Sequence, residues 1–145
     1  MQKLVKFMLL VTFALLSSNA VAGRTAPLVN VENIAVVSGS GNKLSVEQVK
    51  QAVIRAATVA QWSVTPPAAG TIVATLQVRG KHTLMVDIPY SAESFSVRYK
   101  DSVNLNHGME ELEQTNYKPV EVVHPNVNKW MMLLKDAIRA ELARL

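Results

Sequence analysis

Three histidines and a cluster of glutamates are the residues of this chain best suited to chemistry. His82, His107 and His124 lie far apart, while Glu110, Glu111 and Glu113 crowd between the second and third. Imidazoles and carboxylates hold transition metals when two ligands share a turn or strand at a close, regular spacing. No such spacing occurs here. If the stretch from Asp101 to Pro125 folds back on itself, His107 and His124 meet near the glutamates, and a metal-dependent protein or enzyme becomes one reading. A solvated acidic loop with surface histidines is the plainer reading of the same residues, and no metal is expected.

Nucleophilic chemistry has even less support. The chain has no Cys, and no Ser stands in the G-x-S-x-G elbow that exposes a catalytic hydroxyl. Ser91 and Ser94 read as turn residues. Ser38-Gly39-Ser40-Gly41-Asn42 precedes a helix but lacks the buried strand and the Lys of a phosphate-binding loop. It reads as a flexible turn, and nothing in the sequence asks for a cofactor.

The polar residues with the most to offer a partner are Gln77, Arg79, Asp87, Arg98 and Lys100. They belong to Thr71–Lys100, where apolar and polar residues alternate with the period of half-buried strands. Ile72, Ala74, Leu76 and Val78 share one face of the first run. Leu84, Val86 and Ile88 share one face of the second, and Phe95, Val97 and Tyr99 one face of the third. The opposite face collects Thr75, Gln77, Arg79, Met85, Asp87, Ser96, Arg98 and Lys100. Such a face suits a peptide, a glycan or an anionic headgroup; equally, it is an ordinary solvated surface with one cross-strand ion pair.

Register follows from keeping the greasy faces together, since a slip of one residue swaps the faces of a whole strand. Leu76 opposite Leu84, Ala74 opposite Val86 and Ile72 opposite Ile88 leave Arg79-Gly80-Lys81 as a loop in which Gly80 takes a positive φ. The same logic pairs Ile88 with Phe95, Val86 with Val97 and Leu84 with Tyr99, centres the next turn on Ser91-Ala92, and sets Asp87 opposite Ser96.

Helices flank these strands. Ser45-x-x-Gln48 is a capping box, and Val46, Val49, Val53, Ala56, Ala57 and Ala60 form a stripe to about Gln61. A second helix is predicted from about Val127 to Ala143, capped by Asn126, with Trp130, Leu133, Leu134, Ala137, Ile138 and Leu142 as its stripe. Trp62-Ser63-Val64 is a short strand pairing with the run from Ile72, after which Pro66-Pro67 enforces a turn. Asp101–Pro125 is polar and unpatterned, with Val120, Val122 and Val123 as a short edge strand; so long a loop is functional or mobile. The fold class predicted is α+β, an antiparallel three- to four-stranded meander with both helices on its apolar face, in the order α-β-β-β-β-α. Residues 44–145 form this single domain, and 23–43 an extended N-terminal arm that adds a strand or simply precedes it.

Residues 1–22 read as an address. Lys3 and Lys6 precede the apolar run Phe7–Leu16, too short to anchor in a bilayer, and Ala20-Val21-Ala22 is the small-x-small pattern of signal cleavage. Cleavage after Ala22 leaves a periplasmic chain starting at Gly23 with no membrane span. The whole chain carries +4; of its 15 basic residues, losing Lys3 and Lys6 leaves 13 against 11 acidic. That excess is too small to suggest nucleic acid.

The strings Val86-Asp87-Ile88-Pro89-Tyr90, Ser96-Val97-Arg98-Tyr99-Lys100-Asp101-Ser102 and Asn104-Leu105, with Asn128-x-Trp130 opening the last helix, resemble a family of small exported proteins and lipoproteins of Gram-negative bacteria. The resemblance covers about Leu44 to Leu142. It implies export and this fold, and supplies no catalytic residue. The chain departs from the family in three places: Gly23 stands where lipoproteins carry an acylated Cys, Val127 stands in place of Tyr, and the segment between Asn104 and Trp130 is longer. The functional expectation is a non-enzymatic binding module of the cell envelope, its partner an envelope protein, peptide or glycan. The alternatives are the metal-dependent loop and a structural protein that forms homo-oligomers through a sheet edge.

Overall fold

The computed structural model describes residues 23–65 and 68–145. The leader with its cleavage point and the Pro66-Pro67 turn lie outside the described residues. Eight strands and two α-helices follow in order, with a 3-10 turn at Glu113–Thr115 between the last two strands: β1 (Ala26–Pro27), β2 (Val31–Ala35), α1 (Val46–Val59), β3 (Ser63–Val64), β4 (Thr71–Val78), β5 (His82–Pro89), β6 (Ser94–Val103), β7 (Gly108–Glu111), β8 (Pro119–Val123) and α2 (Pro125–Leu142). The class is α+β. A five-stranded sheet of order β2-β6-β5-β4-β3 carries the core, and β1-β8-β7 form a smaller one; every pairing is antiparallel.

The sheet is wider than the predicted meander because the arm contributes β2, which lies along β6 with Ile34 opposite Phe95 and Val31 opposite Val97. The region expected to be a loop is the β7-β8 hairpin; Val120, Val122 and Val123 lie in a strand as expected, but β8 is the middle strand of the small sheet and not an edge. The hairpin's strands are short and carry Pro119 and four-residue polar GMEE, which alternation does not reveal; pairing with β1 and burial of Val122 and Val123 hold them.

The β4-β5 register is as predicted from Ile72↔Ile88 to Val78↔His82. The turn adds a detail: Arg79 as well as Gly80 has positive φ, 55° and 64°, and the Lys81 N–H donates to the Val78 carbonyl at 3.2 Å. That is a type I′ turn, whose twist matches the strands it joins.

The β5-β6 register differs from the expected one by two residues: Val86 faces Tyr99, Asp87 faces Arg98, and Tyr90 bridges to Phe95. A shift of two keeps every side chain on its own face, so the apolar pattern cannot choose between them. Turn chemistry chooses. Ser91 N–H donates to the Ser94 carbonyl at 2.8 Å, and Ser91 Oγ accepts from the N–H groups of Glu93 and Ser94. Beyond Tyr99 one extra residue enters β6, since Met85 pairs with Asp101, and Lys100 sits in the bulge.

Helix α1 starts at Ser45 with both hydrogen bonds of the capping box. It ends in a Schellman motif without glycine: Gln61 takes φ 67° and donates to Thr58, while the Trp62 N–H reaches back to the Ala57 carbonyl at 2.9 Å. Helix α2 is capped by His124 rather than Asn126. Its Nδ1 accepts the Asn126 N–H at 3.1 Å, with Pro125 opening the first turn.

The core lies between the helices and one face of the large sheet. Val49, Val53, Ala56 and Ala57 from α1 and Val127, Met131, Leu134, Ile138 and Leu142 from α2 join Ile72, Ala74, Leu84, Val86, Ile88, Phe95 and Val97. The α2 stripe is rotated from the expected one: Met131 is fully buried and Leu133 is 54% exposed. In α1 the expected stripe residue Val46 is exposed as well. Burying each large side chain contributes about 1.5–3 kcal/mol.

Candidate functional site

The five predicted binding residues divide between two places. Asp87, Arg98 and Lys100 stay on the outer face of the large sheet, where they are satisfied by carboxylate and ammonium partners of the same chain. Arg98 grips Glu32 of β2 through Nε and Nη2 at 2.8–3.1 Å, and Lys100 Nζ lies 3.5 Å from Asp87. The guanidinium's hydrogen bonds hold the Glu32 carboxyl below its ordinary value, and Glu32 in turn raises Arg98. Ser96, expected on this face opposite Asp87, is buried; its Oγ accepts the Asn33 N–H at 2.9 Å where β2 bulges over it.

These pairs join strands, and the Glu32 pair sets a sign for pH. A carboxyl depressed in the folded state contributes stability that is complete above its unfolded value, about 4.5, and is lost as pH falls through the folded value. A carbon-detected NMR titration of the Glu32 side chain is therefore expected to show a midpoint below 4.5, returning toward 4.5 in Arg98→Ala.

The histidines do not converge. His82 Nδ1 lies 2.8 Å from the Asn104 carbonyl, and His124 caps α2. His107 Nε2 meets Glu121 at 2.7 Å, and its ring stacks on Tyr99 with centroids 4.7 Å apart. Burial raises the Tyr99 phenol, whose oxygen lies 2.7 Å from Ser102 Oγ. Glu110 accepts the Thr25 hydroxyl at 3.0 Å. The Tyr99–His107–Glu121 contacts tie the small sheet to β6. Among the described residues no three His, Asp or Glu side chains are arranged to hold a metal ion.

Arg79 stands elsewhere, at a cleft of about 410 Å³ between the end of β4, the end of α1 and the first half of α2; Gln77, paired with Thr83 on the face of Asp87, borders the same cleft from the strand edge. Trp62, Leu76, Trp130 and Leu133 give it an apolar wall, and Gln61, Gln77 and Arg79 its polar groups. Each wall has a local cause. The Schellman motif drops Trp62 beside the sheet edge, the rotation of α2 leaves Leu133 exposed, and the I′ turn carries Arg79 to the rim. Sequence reasoning placed Trp62 in a strand and Leu133 in the core, and so missed both.

Charge separates this cleft from four others on the described residues. Those lined by Asp136 with Arg139, by Lys43 with Glu93, by Arg55 and Arg144 with Glu141, and by Arg55 with Glu47 each contain both signs. The tryptophan cleft has Arg79 and no acidic residue in its lining. Among the described residues Arg79 makes no ion pair. An aromatic-walled cleft with one uncompensated guanidinium can hold an apolar group beside a carboxylate or another anion. Among the described residues no helix is long and apolar enough to cross a membrane. The chain matches no protein-family model, no curated protein and no solved structure.

Proposed function

We propose that this chain is an exported, non-enzymatic binding module of the Gram-negative cell envelope, and that its ligand sits in the tryptophan cleft beside Gln77 and Arg79. The observation that carries the reading is the cleft's charge: a cation without a counter-charge next to two tryptophans. On the outer sheet face an anionic ligand competes with Glu32 for Arg98 and with Asp87 for Lys100, which makes that face the weaker platform. The periplasmic address rests on the leader pattern of residues 1–22 and on the family resemblance of the Val86–Asn104 strings.

Two experiments test the reading. Expression of the full chain in a Gram-negative host, with N-terminal sequencing of the periplasmic fraction, is expected to return Gly23 as first residue; a chain retaining Met1 in the cytoplasm contradicts export. Pull-down from envelope extract is expected to retain a companion that Leu133→Ala and Arg79→Ala each lose, with both variants keeping the wild-type melting temperature within a few degrees. Retention by both variants contradicts the site.

A further inference from the structure

The edge of β4 that borders the cleft is incomplete, and its register says what is missing. Ser63 pairs with Thr75, and the Thr65 N–H donates to the Val73 carbonyl at 3.0 Å. Val73 and Thr75 therefore turn their main-chain groups toward β3. In an antiparallel ladder such residues recur at every second position, so Gln77 is the next to present its N–H and C=O on that side. Its natural partner would be Gln61. That residue has instead entered the helix cap at φ 67°, donating to Thr58. Strand β3 stops one pair short, and Gln77 faces the cleft.

We infer that the ligand is an extended peptide segment carrying an apolar and an acidic residue, added to β4 as a continuation of β3 through the main chain of Gln77. The inference rests on the cleft being the binding site. In such a strand the place opposite Leu76 is already held by Trp62, next to Ser63 in the pairing with Thr75; the peptide residue opposite Val78 points to the helix side, where Trp62, Trp130 and Leu133 form the wall. An acidic side chain of the peptide meets Arg79 at the turn, whose guanidinium finds no carboxylate in the lining. Main-chain pairing supplies affinity in this mode of recognition, and the pocket and the charge supply selectivity. Charge complementarity at Arg79 argues for an acidic peptide over a wholly apolar ligand.

The test uses the full chain and the blocked peptide Ac-Glu-Thr-Phe-Thr-NH2, whose last Thr pairs with Gln77 and whose Glu and Phe share the face toward the helices. Binding is followed by calorimetry, by the indole resonances of Trp62 and Trp130, and by exchange of the Gln77 amide proton. Saturable binding stronger than about 1 mM is expected, with the Gln77 amide protected. N-methylation of the peptide one residue at a time is expected to cost about tenfold at one position only, the residue whose N–H donates to the Gln77 carbonyl. Replacing Glu by Gln in the peptide and Arg79→Gln in the protein are expected to weaken binding by non-additive amounts, as two halves of one contact.

Equal binding by all methylated peptides, with the tryptophan resonances still shifting, overturns strand addition and leaves the cleft as a site. A peptide that moves neither indole overturns both. A mass in sedimentation that rises with protein concentration and falls in Leu133→Ala makes a second copy of the chain the occupant, and overturns the free peptide as ligand.

Discussion

Val86→Asp is expected to leave no folded protein. Val86 is fully buried at the middle of β5, between Ala74 of β4 and Tyr99 of β6, on the sheet face that both helices cover. The substitution forfeits about 1.5–3 kcal/mol of apolar burial. It also leaves a carboxylate in the core with no partner, at an effective penalty of several kcal/mol. A domain of this size has only about 5–15 kcal/mol in total. Thr83→Asp, on the opposite face of the same strand, is expected to stay folded. Far-UV circular dichroism and amide dispersion in NMR spectra distinguish the two; a folded Val86→Asp means the core lies elsewhere.

Met131→Ala and Leu133→Ala are expected to differ sharply although both remove a large apolar side chain from α2. Met131 is fully buried in the seam with Val127, Leu134 and Ile138, and its truncation is expected to cost about 2–5 kcal/mol. Leu133 is 54% exposed at the cleft and is expected to change stability by no more than about 0.5 kcal/mol. Urea denaturation of both variants measures the difference. Equal losses would mean that α2 presents another face to the sheet.

That contrast shows where the sequence is ambiguous. Trp130, Met131, Met132, Leu133 and Leu134 are five consecutive apolar residues, which run all the way round a helix. Periodicity cannot select the buried side there; packing against α1 and β6 does. In α1, where apolar and polar residues alternate at helical spacing, the stripe apart from Val46 and the Ser45 cap were legible.

Strands repeat the lesson. The first hairpin was legible because matching the faces also fixed the loop length around Gly80. The second was not, because registers two residues apart bury the same side chains and only the hydroxyl of Ser91 tells them apart. Of the small sheet only β8 was legible, through Val120, Val122 and Val123; β1 has two residues and β7 reads Gly-Met-Glu-Glu.

The candidate site was half legible. Gln77 and Arg79 stood out as polar residues at the end of an alternating strand, but alternation assigned Arg79 to the sheet face. Its positive φ takes it into the turn and to the cleft instead. Trp62 joins Trp130 there because α1 ends in a left-handed Gln, a position that usually holds glycine and so gave no warning.

The most direct test of the cleft as the functional surface is photo-crosslinking in the envelope of living cells. Benzoylphenylalanine is placed at Leu133, exposed on the cleft wall, and in a second strain at Lys100 on the outer sheet face. A discrete crosslinked product is expected from Leu133, abolished by Arg79→Glu, and none from Lys100. A product from Lys100 alone would place the partner on the outer face of the sheet and contradict the cleft.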